Sequence, residues 1–120
     1  MRSIEDLIVA LCSLPLKLSR GDGISMLQAI DESGYRGNES AVKESDIRQY
    51  LSEQPQLVRE WSLYSENKRT DTGWYFDYEL MQVGLFVRDG REHIRTFDDV
   101  ASACSCFIKN EIDLMLDMSL

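Results

Sequence analysis

A single histidine, His93, occurs in the whole chain. That excludes any metal site built on two or more imidazoles and makes a catalytic role for His93 depend on a nearby nucleophile. Cysteine is nearly as scarce. Cys12, Cys104 and Cys106 are an odd number without metal-type spacing. Cys104 and Cys106 fall in a helical pattern, where residues two apart point about 200° away from each other. They are therefore read as small apolar packers in a reducing compartment rather than as a disulfide or a shared metal site. A Cys–His pair, if any, would use Cys104. Only two prolines occur, Pro15 and Pro55, and there is no low-complexity tract or repeat. The run "LIVALC" near the N-terminus is too short to cross a bilayer. Neither a basic leader nor a small-residue cleavage site accompanies it, so a cytoplasmic protein without membrane contact is expected.

Catalytic signatures are missing too. No phosphate-cradling glycine loop, metalloprotease helix, nucleophile elbow or calcium loop is present. "RGDG" at Arg20 to Gly23 contains an adhesion tripeptide that reads as a coincidental turn. No two carboxylates stand out as an acid/base couple. The expectation is a non-enzymatic protein that needs no cofactor or metal.

What the chain does have is acid. Its formal net charge is −8, from 21 acidic against 13 basic residues, over 120 residues that suit one globular domain. Such a field repels nucleic acid phosphate and anionic lipid and attracts basic partners.

Apolar periodicity places helices in the first part of the chain, residues 1–69. In "SIEDLIVALCSL", Ser3 and Asp6 form a variant capping box ahead of the stripe Leu7, Ile8, Leu11 and Leu14, and Pro15 ends the helix. A loop "SRGDG" follows, with Gly21 and Gly23 giving it freedom. "ISMLQAIDES" then carries Ile24, Leu27 and Ile30 on one side, with Gly34 as its stop. After the loop "GYRGNES", a third helix "KESDIRQYLSEQ" buries Ile47, Tyr50 and Leu51. A fourth opens at Pro55 and carries Leu57, Val58, Trp61 and Tyr64. Lys68 and Arg69 suit the negative end of its dipole.

The period drops to two in residues 70–120. An α+β fold results, with an antiparallel three-stranded meander (about 73–76, 80–88 and 91–97) under a covering helix (about 99–117). Asp89-Gly90 is the expected hairpin turn. It would place Arg88 opposite Arg91, Phe86 opposite His93, Gly84 opposite Arg95, Leu85 opposite Ile94, Val87 opposite Glu92 and Val83 opposite Thr96. The arginines and His93 then share one polar face, with arginine stems over apolar surface. Trp74, Phe76 and Phe86 beside three arginines also suggest a base-stacking platform, but the net charge has the wrong sign for nucleic acid. Asp98 is placed as the cap of the last helix, whose stripe is Val100, Cys104, Phe107, Ile108, Ile112 and Met115.

The second part resembles a known layout. "GWYF", then "VGLFV", a hairpin turn, "TF", an acidic cap and "ACSCFIKNEI" are similar to a pattern among bacterial immunity proteins of polymorphic toxin systems. These include the immunity proteins of contact-dependent growth inhibition, which act in bacterial competition. The matching residues are Trp74, Tyr75, Phe76, Val83, Gly84, Phe97, Ala103, Cys104, Phe107 and Ile108. The resemblance covers about the last 55 residues, and more loosely "ESDIRQYLSEQPQLVREWSLYSENKR" before them. It implies an antitoxin-like protein that binds and neutralises a cognate toxin domain, covering its active site or substrate surface. It transfers no binding residue, because the matched positions are of core type.

Charge supplies the candidates. A toxin that cuts nucleic acid has a basic cleft, which an acidic inhibitor can fill. Glu39, Glu44, Asp46 and Glu53 around the third helix form one candidate toxin-binding patch, and Asp71, Asp77 and Glu79 beside the first strand form another. The expected partner is a basic nuclease domain met by a monomer, with no nucleic acid or membrane bound. The alternative is an acidic, non-enzymatic adaptor or regulatory module, acting as a homodimer.

Overall fold

The structure is a computed structural model that describes residues 3–19, 25–67 and 73–118. Within them the element order is the α+β one expected: helices, then an antiparallel meander, then a long helix. Gly21, Gly23, Ile24, Lys68 and Arg69 lie outside the described residues.

Helix α1 (Ile4–Cys12) starts where the Ser3 hydroxyl oxygen accepts the Asp6 N–H at 3.1 Å, satisfying one of the donors that a helix start leaves open. Its face of Leu7, Ile8, Leu11 and Cys12 is buried. Pro15 does not end the helical segment. The break comes at Ser13, and α2 (Leu14–Ser19) carries Pro15 in its first turn, where a missing N–H costs nothing. In α3 (Met26–Ser33), Ser25 caps the start and Gly34, at φ 86°, turns the chain out of the helix. The buried face of α3 is Met26, Ala29, Ile30 and Ser33, with Leu27 only half-buried. The loop after Gly34 contains a 3-10 turn at Glu39–Ala41. Next come α4 (Glu44–Ser52), which buries Ile47 and Leu51, and α5 (Pro55–Asn67), which buries Leu57, Val58 and Trp61.

Strands β1 (Gly73–Asp77), β2 (Gln82–Val87) and β3 (Gly90–Thr96) pair antiparallel in that spatial order. Phe76 faces Val83 across the first pair, and Trp74 faces Leu85. Those residues lie on the side that meets the last helix. Leu80 and Met81, expected within the second strand, belong to the preceding turn, where Met81 takes φ 50°. On the far side of β1, the Phe76 N–H donates to the Ser65 hydroxyl of α5 at 2.9 Å.

The hairpin departs from expectation. Its loop residues are Arg88 and Asp89, and Val87 faces Gly90. Gly90 enters the strand at φ 150°, a conformation open to glycine. Phe86 therefore faces Arg91, Leu85 faces Glu92, Val83 faces Arg95 and Gln82 faces Thr96. Two residues, His93 and Ile94, stand against Gly84 alone, which makes a β-bulge with His93 at φ 53°. None of the six pairings anticipated for this hairpin forms. Because side chains alternate along a strand, Arg91 ends up on the outer face with Phe86, and Arg95 on the inner face with Val83.

The last helix, α6 (Val100–Met118), is capped by Asp99 rather than Asp98: the Asp99 carboxylate accepts the Ser102 N–H at 2.7 Å. It does cover the sheet, but α3, α4 and α5 also pack against it. That explains why Ala101, Ala103, Cys104, Ser105, Cys106, Phe107 and Ile108 are all buried instead of a single stripe. Phe107 links the two parts of the chain, with ring centroids 6.0 Å from both Trp61 and Phe76. Trp61 adds a hydrogen bond, its indole N–H donating to the Cys12 carbonyl at 3.0 Å. Each of these aromatic side chains contributes on the order of 1.5–3 kcal/mol by burial.

Polar groups inside are partnered. Tyr35 is fully buried, and its hydroxyl donates to Asp113 at 2.7 Å and meets Lys109. Lys109 also donates to the Glu39 carbonyl at 2.6 Å, tying the 3-10 turn to α6. The buried Glu111 carboxylate accepts the Tyr64 hydroxyl at 2.8 Å.

Candidate functional site

On α1, Ile4, Glu5, Ile8 and Val9 lie along one side, as two adjacent pairs four residues apart. On α4, Asp46, Gln49, Tyr50 and Glu53 follow the i, i+3, i+4, i+7 spacing that puts them on one face. The two faces flank a groove of about 560 Å³. Its floor is apolar: Ile8 and Tyr50 lie deeper, between Ile4 and Val9, which are 40% and 42% exposed. Its rim is acidic, made by Glu5, Asp46 and Glu53, and among the described residues no basic side chain lines it.

Asp46 is braced, its carboxylate accepting the Lys43 N–H at 3.4 Å in the first turn of α4. Glu53 is placed against its own helix. It sits at the C-terminal cap of α4, where the helix dipole is negative and a carboxylate is disfavoured. It is exposed. No cation among the described residues offsets that conflict, since the ion pairs there join Lys17–Glu32, Arg36–Asp31 and Lys109–Asp113.

The structure thus brings together two of the seven acids proposed from sequence, Asp46 and Glu53, and adds Glu5. Glu44 turns to another flank of α4, lining a neighbouring depression with Arg48 and Ser105. Glu39 belongs to the 3-10 turn. The backbone N–H groups of Gly37 and of Glu39 itself, then the charges of Lys109 and Arg36, hold its carboxyl below the ordinary range. Asp77 caps the β1–β2 turn by accepting the Leu80 N–H at 3.0 Å, and Glu79 is exposed in the same turn. Asp71 lies outside the described residues.

A second, smaller cavity opens beneath the β3 bulge. It measures about 230 Å³ and is lined by Trp74, Val83, His93, Arg95, Cys106 and Asn110. The bulge aims His93 here, with its ring centroid 6.5 Å from that of Trp74. A left-handed backbone at a non-glycine residue costs about 1–2 kcal/mol. Arg95 approaches the Cys106 sulfur at 3.9 Å and lies over the Phe97 ring. The Asn110 amide donates to the Cys106 carbonyl at 2.8 Å and to its sulfur at 3.3 Å.

A Cys–His arrangement suggests nucleophilic chemistry, but the thiol is poorly suited to it. Burial first, then the Glu44 charge, push the Cys106 thiol up, against the opposing pull of Arg95 and Asn110. A thiol so held is mostly protonated at neutral pH and weakly nucleophilic. Cys104, the cysteine that the sequence offers for such a pair, is buried in the core, and burial followed by the neighbouring Cys12 raises it well above the ordinary value.

The outer face of the sheet holds a third cluster. The Arg91 guanidinium lies 5.1 Å from the ring centres of both Tyr75 and Phe86. Tyr75 crosses over Gly84 so closely that a Cβ there would meet its ring at 2.6 Å. The three aromatics considered as a base-stacking platform are thereby split. Phe76 is core, Trp74 is on the inner face and Phe86 is on the outer one.

Among the described residues, no group of three or more His, Cys, Asp or Glu side chains is placed to hold a metal, and no helix is long and apolar enough to cross a membrane. No protein-family model matches the chain, and neither a curated protein nor a solved structure matches it.

Proposed function

We propose that the chain is a cytoplasmic immunity protein that binds a cognate, basic toxin domain, a nuclease, and neutralises it by covering its active site or substrate surface. The observation that carries this reading is the acid-rimmed apolar groove between α1 and α4 on a chain of net charge −8. An apolar floor offers a partner's anchor side chain a desolvated seat, and carboxylates around it select basic neighbours and steer their approach. Glu53 fits this reading, being a charge that its own helix disfavours and a basic partner would neutralise.

The test is a binding measurement against the toxin domain encoded beside this chain's gene. A one-to-one complex is expected whose association rate falls by about tenfold or more from low to physiological salt. The triple variant Glu5→Gln, Asp46→Asn, Glu53→Gln should lose most of that salt dependence. No complex with the neighbouring toxin domain, or a triple variant that binds with unchanged salt dependence, would refute the proposal.

A second reading, an acidic adaptor acting as a homodimer, draws support from the open sheet face, where Phe86 is 38% and Ile94 50% exposed. Sedimentation separates the two, since a concentration-dependent dimer that Phe86→Ser abolishes would favour the adaptor.

A further inference from the structure

We propose that the cavity under the β3 bulge is a binding site for a small oxyanion, a carboxylate or a phosphate. The inference does not depend on toxin binding.

In a protein with 21 acidic residues, this cavity has no carboxylate among the described residues of its wall. The groups that line it are a guanidinium, an imidazole, a carboxamide and a thiol, set beside the Trp74 ring and above Val83. Arg95 makes no ion pair among the described residues; its partners are a sulfur and an aromatic face. Its forked N–H groups are therefore available for the bidentate contact that suits carboxylate and phosphate oxygens. His93 stands at the mouth, with its side chain 68% exposed, and can donate a second hydrogen bond. Two acids approach without lining the space. Glu92 lies 4.0 Å from the His93 Nε2, and the Glu44 charge is felt at Cys106.

The bulge gives the arrangement its second support. Regular pairing would put Arg91, His93 and Arg95 on one face. The extra residue sends Arg91 to the outer face and leaves His93 and Arg95 at the cavity, with His93 in a backbone conformation that glycine would adopt more readily. Strain of this kind at a cavity mouth is commonly tied to ligand contact. Because the Cys106 thiol is held protonated, the site is suited to binding an anion rather than attacking a substrate.

The sole histidine makes a direct probe, since its C2–H proton gives one NMR resonance. Inorganic phosphate and benzoate, titrated separately at constant pH and ionic strength, should produce a saturable shift of that resonance with at least one of them. The anion that acts distinguishes a tetrahedral from a planar ligand. Arg95→Gln should weaken the response by about tenfold or more, the loss expected for one charge-assisted contact. His93→Gly accommodates the φ of 53° without strain. It should melt at a higher temperature than the parent yet bind the anion more weakly, followed through the Asn110 side-chain amide. Three outcomes would overturn the proposal: no saturable shift with either anion, Arg95→Gln titrating like the parent, or His93→Gly binding as tightly as the parent.

Discussion

Helix α6 and strand β3 are separated by a few residues and are opposites in almost every respect. Most of α6 from Ala101 to Ile112 is buried against helices on one side and the sheet on the other, while every residue of β3 is exposed. The buried part of the helix is mostly small and apolar residues that fit between neighbours, and the strand carries arginines, a histidine and a glutamate whose contacts are made at the surface, such as Arg91 over Tyr75 and Phe86. Burial and exposure are thus concentrated in adjacent stretches of one chain. What α6 does for the fold it does by filling space, and what β3 does it does by displaying groups.

The sharpest way to break that contrast is to truncate one side chain from each. Phe107→Ala removes the ring that joins Trp61 to Phe76 and should cost about 3–5 kcal/mol in urea denaturation. Arg91→Ala removes only a stacked cation and should cost roughly 1 kcal/mol or less. Equal losses would mean that the hairpin is as much a part of the core as α6.

Alkaline pH probes the buried side alone. Burial pushes the Cys12 thiol up to about 12 and raises Cys104, and burial with a neighbouring carboxylate raises Tyr35 and Tyr64. Groups raised in the folded state lose protons first in the unfolded chain. Stability is therefore full below about pH 8.5, the ordinary thiol value, and declines above it. Once a thiol titrates in the unfolded state, it removes about 1.4 kcal/mol for each further pH unit until the folded value is reached. Chemical denaturation at pH 7 and pH 10 should show the decline, and Cys12→Ala should reduce its slope. A flat profile would mean that the thiols are not sequestered.

The smallest effect extends the contrast to the groove. Glu53→Gln removes a carboxylate from the wrong end of α4 and should stabilise the protein by about 0.3–1 kcal/mol, while weakening the proposed binding of a basic toxin domain. Calorimetry would measure the first effect and surface binding the second. A loss of stability would show that Glu53 supports the fold.

The parts that could be read from sequence were those set by neighbours along the chain. The stripes of α1, α4 and α5, the glycine stop after α3 and the proline start of α5 follow from helical period and cap chemistry. The hairpin departs from its local pattern: Asp89-Gly90 looks like a two-residue turn, whereas the chain uses Gly90 as a strand residue and places the loop at Arg88-Asp89. No local pattern announces the bulge at His93, which depends on how β3 must pair along the whole of β2. The Ala-Ser-Ala-Cys-Ser-Cys run did carry a signal, since small residues at consecutive positions fit a helix enclosed on all sides. The groove was half visible. Asp46 and Glu53 lie on one face of α4, but Glu5 comes from a helix about forty residues away, joined to them only by tertiary packing.

The Ser65 hydroxyl that takes the Phe76 N–H has a meaning beyond local satisfaction. With α5 alongside β1 and a bulge in β3, neither rim of the sheet presents a straight ladder of vacant amides. Without such a ladder one strand has little with which to template another, which disfavours growth into fibres.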